Sequence, residues 1–170
     1  MTSVPATREL ALWRAYERAV FRVFDEGGPI SFRIGRTSPR LDRLLERHAA
    51  TRWAHITAWN PSSIPLPKRE NERRQRGLLA ALKRAGFTAL EGDGADPKGR
   101  WTPEPTAFVL GLGVGEARRL GREYAQLAIV VGQRGKPARL VACQPSLVRA
   151  LAKDAAARRT LRPPVGSRPS

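Results

Sequence analysis

The sequence predicts a single α+β domain, a two-layer unit with a mixed or mainly antiparallel sheet and helices packed on it. Three observations lead there. The 170 residues are the length of one domain, and 41% hydrophobic residues are enough for one core. Stretches of helical period alternate with stretches of strand period, in the order helix, hairpin, helix, strand, helix, strand, strand, helix, hairpin. Glycine or proline marks most of the boundaries between them. The domain is expected over residues 1–157, with residues 158–170 as a basic, disordered tail. No internal repeat is visible.

Residues 1–6 read as a frayed start, and Thr7 can cap a helix with Glu9 in its first turn. Leu10, Trp13, Tyr16 and Val20 recur one turn apart. The helix is expected to stop near Glu17 and give way to a hairpin turning at Asp25 to Gly28; the rival is one helix reaching Phe24. Ile30, Phe32 and Ile34 alternate with Ser31 and Arg33, the pattern of a half-buried strand. After Gly35, Thr37 or Ser38 can cap a second helix with Pro39 in its first turn and Leu41, Leu44, Leu45 and His48 inward. His48 reads as a satisfied helix-end residue. Trp53 to Trp59 is expected to be an interior strand, because both of its faces are apolar enough to be covered.

Asn60-Pro61 ends that strand. A Ser/Pro loop leads to a helix from about Lys68 to Ala85, stopped by Gly86, with Asn71, Gln75, Leu78, Leu82 and Ala85 at helical spacing. Phe87 to Leu90 is a short strand, and G-D-G-A-D-P-K-G-R-W a turn-rich loop in which Asp93 and Asp96 read as turn formers before a cation site. Glu104-Pro105 opens a strand through Phe108 and Leu110. G-L-G-V-G-E, at 111–116, is a strand-to-helix turn. As a dinucleotide loop it would place Glu116 where pyrophosphate belongs. Val114, Ala117, Leu120 and Tyr124 make a helix face; Ala125 to Val131 is an apolar strand carrying Gln126; Ala138 to Cys143 returns as its hairpin partner; and a last short helix follows from Pro145.

Composition bounds function. No apolar run is long enough to span a membrane, and M-T-S-V-P-A-T-R-E has no secretory h-region, so a cytoplasmic protein without membrane contact is expected. The single Cys143 suits a reducing compartment, and one Cys with two His leaves no zinc set; no cofactor or metal is expected. The net charge of +16 makes nucleic acid a candidate partner. Against that, the cations are nearly all Arg, scattered from Arg8 to Arg168, as composition alone would give.

Several separated motifs carry a resemblance. They are F-R-I-G at 32–35 with S-P-x-L-D-x-L-L at 38–45, I-T-A-W-N-P-x-S at 56–63, E-N at 70–71, G-x-G-x-D-P-x-G-x-W at 92–101, x-P-E-P at 102–105, and Q-x-A-I-V at 126–130. Over about residues 16–142 the chain resembles a small bacterial family, domain of unknown function 3293. One departure is Leu127, where such sequences often carry Asn. The resemblance implies a shared fold and no activity.

The motifs single out a strand-to-helix junction, a common place for a binding site. Glu70 and Glu104 are the candidate catalytic carboxylates, as an acid and base pair. Thr57, Asn60, Ser62, Asn71, Trp101 and Gln126 are the candidate ligand-binding residues. The bland reading makes Asn60-Pro61 a turn, Glu70 a helix-start charge, and Asn71 and Gln126 bridges to buried backbone. No Ser/His/Asp order, phosphate loop or metal spacing names a reaction. The leading expectation is a small-molecule-binding domain, an enzyme or not, for an unidentified ligand; the alternatives are a basic RNA- or DNA-binding protein and a protein-interaction module without a pocket.

Overall fold

In a computed structural model that describes residues 6–160, seven strands form one antiparallel sheet in the order β2-β1-β4-β5-β3-β6-β7. The elements in chain order are α1 (Ala6–Arg18), β1 (Val20–Asp25), β2 (Gly28–Phe32), α2 (Pro39–Arg47), β3 (Arg52–Ile56), a 3₁₀ turn (Pro61–Ser63), α3 (Lys68–Arg84), β4 (Ala89–Ala95), β5 (Glu104–Leu110), α4 (Val114–Glu123), β6 (Ala128–Gln133), β7 (Arg139–Ala142) and α5 (Pro145–Thr160). This is the α+β architecture read from the sequence, and every strand ladder is antiparallel.

The sheet curls. Phe32 on β2 and Trp53 on β3 stand four strand positions apart in sheet order, about 19 Å across a flat sheet at ~4.8 Å per strand. Their ring centroids are 5.0 Å apart. The face carrying Phe21, Phe32, Trp53, His55 and Phe108 is therefore the concave one, and α2 covers one end of it with Leu41, Leu44 and Leu45. The curl brings the two edges together. Ile34, just past β2, bridges Ala138, just before β7, with Gly35 N–H donating to the Ala138 carbonyl at 2.9 Å. The convex face is covered by α3 through Leu78 and Leu82 and by α4 through Ala117 and Leu120. A third apolar cluster joins α1 and α5 around Leu127, Ala142 and Leu147.

The chain breaks near Ala19 into the β1–β2 hairpin, so the single helix to Phe24 does not form. Ser38 caps α2, its hydroxyl accepting from Leu41 N–H at 3.3 Å. His48 is not inward; it is the exposed C-cap residue of that helix. The central strand ends at Ile56 rather than Trp59, because the Thr57 hydroxyl takes the Trp59 N–H at 3.0 Å and starts the turn. Ala85 is exposed, and Val114 lies off the buried face of α4 at 44% exposure.

The G-D-G stretch is strand, not loop. Gly92 lies where a Cβ would strike the Arg22 carbonyl and stand 2.9 Å from Thr106 Oγ1, so the missing side chain permits close pairing instead of a turn. Asp93 is consumed by an ion pair with Arg22, and Asp96 by Arg100 at 2.8 Å. The hydrogen bonds from the Arg100 guanidinium hold the Asp96 carboxyl well below the usual carboxylate range. Strand β6 begins three residues later than the apolar run suggests, because Ala125 adopts φ 54° and leaves Gln126 in the preceding turn. Glu9, expected as a first-turn charge, is buried and accepts the Ser146 hydroxyl at 2.7 Å, tying α1 to α5. Residues 1–5 and 161–170 lie outside the described residues, and with them most of the frayed start and tail. No helix of the described residues is long and apolar enough to cross a membrane.

Candidate functional site

The junction after β3 is held in an unusual backbone conformation. Asn60, Ser62 and Ser63 all have positive φ, at 43°, 55° and 55°. Residues other than glycine held there cost ~1–3 kcal/mol each unless their surroundings fix them. Here the surroundings do so. Asn60 and Asn71 bond reciprocally: Asn60 N–H donates to Asn71 Oδ1 at 2.8 Å, and Asn71 Nδ2 donates to Asn60 Oδ1 at 2.8 Å and to the Leu66 carbonyl at 3.1 Å. Asn60 Oδ1 also accepts from Leu66 N–H at 3.0 Å. Ser62 N–H donates to the Ala125 carbonyl at 2.7 Å. From α1, the Arg8 guanidinium donates to the Ser63 carbonyl at 3.0 Å, and the Tyr16 and Ser63 hydroxyls hydrogen-bond each other.

These contacts present Ser63 and the Asn60 side chain to the open end of the curled sheet. Asn60 Nδ2 donates to Glu104 Oε1 at 2.6 Å. No group among the described residues donates to Glu104 Oε2. A cavity of about 230 Å³ lies between α1 and this end of the sheet, walled by Leu12, Ala15, Tyr16, Ser63, Gly94, Trp101, Glu104 and Thr106. A smaller space of about 80 Å³ continues past Tyr16, Ser63 and Glu104 to His55, Thr57, Asn60 and Gln126. Trp101 is half-buried and packs on the concave core, so its ring forms a fixed wall.

Burial governs the charges here. It pushes the Glu104 carboxyl upward against the lowering effect of the Asn60 hydrogen bond. It pushes the Tyr16 phenol up as well, so Tyr16 keeps its proton at neutral pH. Burial also lowers His55 from 6.5 to about 4, against the opposing pull of the Arg22 carbonyl and Asp93. His55 Nε2 lies 3.2 Å from the Arg22 carbonyl and 2.7 Å from Thr106 Oγ1. With its pKa lowered the ring is neutral, and Nε2 is shared between these two groups. Ser63 makes no hydrogen bond to it; its hydroxyl partner is the protonated Tyr16 phenol.

The structure gathers Thr57, Asn60, Trp101, Glu104 and Gln126 of the predicted residues around the two connected spaces. Gln126 Nε2 donates to the Trp59 carbonyl at 3.0 Å, and Thr57 Oγ1 to that of Pro105 at 2.7 Å. Three predicted residues stand outside the walls. Glu70 pairs with Arg73 at 2.7 Å along α3 and lines neither space, whereas Glu104 lines both. Asn71 is 2% exposed and braces the turn from behind. Ser62 bonds to Ala125; its neighbour Ser63 faces the cavity. Tyr16 and Thr106 are wall residues outside the motifs, and Ser63 and Gly94 lie within motifs but are not among the predicted site residues. Tyr16 looks like one more position on an apolar helix face, and nothing local tells that the helix lies across the sheet's open end.

Residues 56–129 match the model of a family described as Protein of unknown function (DUF3293). The matched stretch takes in Asn60, Ser63, Trp101, Glu104 and Gln126 and leaves out Tyr16. No curated protein and no solved structure matches the chain.

Proposed function

We propose that the protein binds a small, planar, polar molecule in the cavity between α1 and the open end of the sheet. The observation that carries this reading is Glu104, a partly buried carboxylate with one oxygen held by Asn60 and the other without a protein donor, beside the Trp101 ring. The second oxygen is not sealed from solvent, so it is open to a charge-assisted hydrogen bond from a ligand N–H edge. The apolar wall of Leu12, Ala15 and Trp101 suits a flat ring. The volume of about 230 Å³ is below the usual ~300–1,000 Å³ of drug-sized sites, which favours a ligand of heterocyclic amine size.

Binding without covalent chemistry is the reading the side chains favour. A serine nucleophile needs an adjacent base, and Ser63 has only the Tyr16 phenol, whose proton burial retains. The test is a thermal-shift and calorimetric screen of heterocyclic amines against the wild type, Glu104→Gln and Trp101→Ala. Expected hits raise the melting temperature of the wild type and lose at least tenfold in affinity in both variants. Their affinity should also fall as the pH drops through the raised pKa of Glu104. A screen in which no amine shifts the wild type, or in which hits bind Glu104→Gln undiminished, refutes the proposal.

A further inference from the structure

The seam between β2 and β7 carries a different surface. At the seam, Ala138 N–H donates to the Arg36 carbonyl at 3.2 Å, so the exit of β2 lies against the entry of β7. A cavity of about 440 Å³ on the β7 side includes Arg52, Lys136 and Arg139 in its wall. A depression of about 410 Å³ on the β2 side includes Arg33, Arg36 and Arg40. The six are exposed. Because Arg36 sits on the seam itself, the two groups form one continuous basic face.

We propose that this face docks the phosphate backbone of a nucleic-acid duplex. None of the six cations has a carboxylate within ion-pair range among the described residues, and no carboxylate lines either hollow. The nearby acids are already engaged: Asp42 accepts the Gly135 N–H at 2.9 Å, Glu46 faces Arg134 at 3.8 Å, and Asp25 pairs with Arg47. Helix α3 is equally rich in Arg but differs in carrying acids among its cations, Glu70 facing Arg73 and Glu72 facing Lys68. A face of like charges without internal neutralisation is complementary to a regular array of phosphates. It offers single strands no stacking platform, because Phe32 and Trp53 are buried beneath it. It offers a membrane no apolar wedge beyond Val114.

This inference is independent of the small-molecule pocket, which lies beyond the far end of β3 from Arg52. The experiment uses fluorescence anisotropy with a 20-base-pair duplex, as DNA and as RNA, over a salt series. The proteins compared are the wild type, the triple variant R36Q/K136Q/R139Q, and the charge-matched triple variant R69Q/R76Q/K83Q on α3. All six substituted side chains are exposed. If the six face cations each meet a phosphate, log K against log salt falls with a slope of about −5 on duplex DNA. The seam triple should bring the slope to about −2 to −3 and weaken binding at least tenfold at low salt, with the α3 triple close to wild type. Binding to either duplex with this pattern supports the proposal. Equal weakening by both triples would make the charge a matter of composition and overturn it. So would tighter binding to single strands or to phosphatidylserine vesicles than to either duplex. Melting curves of both triples establish that the comparison is between folded proteins.

Discussion

His55 should make the protein acid-sensitive in a window of its own. The imidazole is 3% exposed, among the Phe21, Phe32 and Phe108 rings, and burial lowers its pKa from 6.5 to about 4. Between those values the unfolded chain takes up a proton that the folded chain refuses, so stability falls as pH falls. At 1.36 kcal/mol per pH unit, the drop from pH 7 to pH 4 is about 3 kcal/mol from this one group. Two neighbours act outside that account. Glu104, with its folded pKa raised, loses stability in the opposite direction, as pH rises. Asp96, with its pKa lowered by Arg100, loses its contribution only as pH falls below the ordinary carboxylate range. Both cancel when wild type and His55→Gln are compared, since glutamine can still bond the Thr106 hydroxyl and the Arg22 carbonyl. The assay is urea denaturation of both proteins at pH 7 and pH 4. Wild type should lose about 3 kcal/mol more than the variant over that interval. A difference under about 0.5 kcal/mol would mean that the native ring is already protonated or exposed, and would refute the reasoning.

Other expectations concern the packing around the site. Asn71→Ala strips Asn60 N–H and the Leu66 carbonyl of their buried partner and should cost at least about 1–3 kcal/mol in denaturant unfolding; an unchanged midpoint would mean that the turn is held by its other contacts alone. Gly132→Ala places a Cβ 2.8 Å from Trp53 Nε1 and nearer still to the ring carbons, so it should cost about 1–3 kcal/mol and shift tryptophan fluorescence. Ser38→Ala removes the cap of α2 at a cost of about 1 kcal/mol, read from the same unfolding curves.

Local pattern made most of the fold legible. Ser38-Pro39 and Gly86 mark helix ends because capping chemistry is local, and the alternation around Ile30 and Phe32 marks a strand because one face is buried. The misread boundaries have distant causes. Gly92 to Gly94 look like turn residues, yet they are paired on both sides by β1 and β5, and the glycines let His55, Thr106 and Phe21 come close. The candidate site was legible in the same uneven way. Asn60, Glu104 and Trp101 lie in motifs that turn chemistry or an odd composition brings forward. Tyr16 reaches the cavity only through the docking of α1, and Glu70 and Asn71, adjacent in sequence, point to different neighbours because successive helix residues do not share a face.

The position of β3 has a consequence for how the chain is made. Its neighbours in the sheet are β5 and β6, both encoded far downstream, while the hairpins β1–β2 and β6–β7 pair locally. Removing β3 would divide the sheet into a four-stranded and a two-stranded piece. At about 5–20 residues per second, synthesis reaches Gln133 roughly 4–15 s after Ile56. The β5 flank is available sooner, roughly 3–11 s after Ile56, so until then Trp53, Ala54 and Ile56 have no ladder on either side, and afterwards one side stays open until β6 arrives. The nascent chain thus carries an unpaired apolar strand for seconds, and the last ladder to form joins β3 to the β6–β7 hairpin. That pairing joins distant parts of the sequence, the kind of contact expected to form slowly.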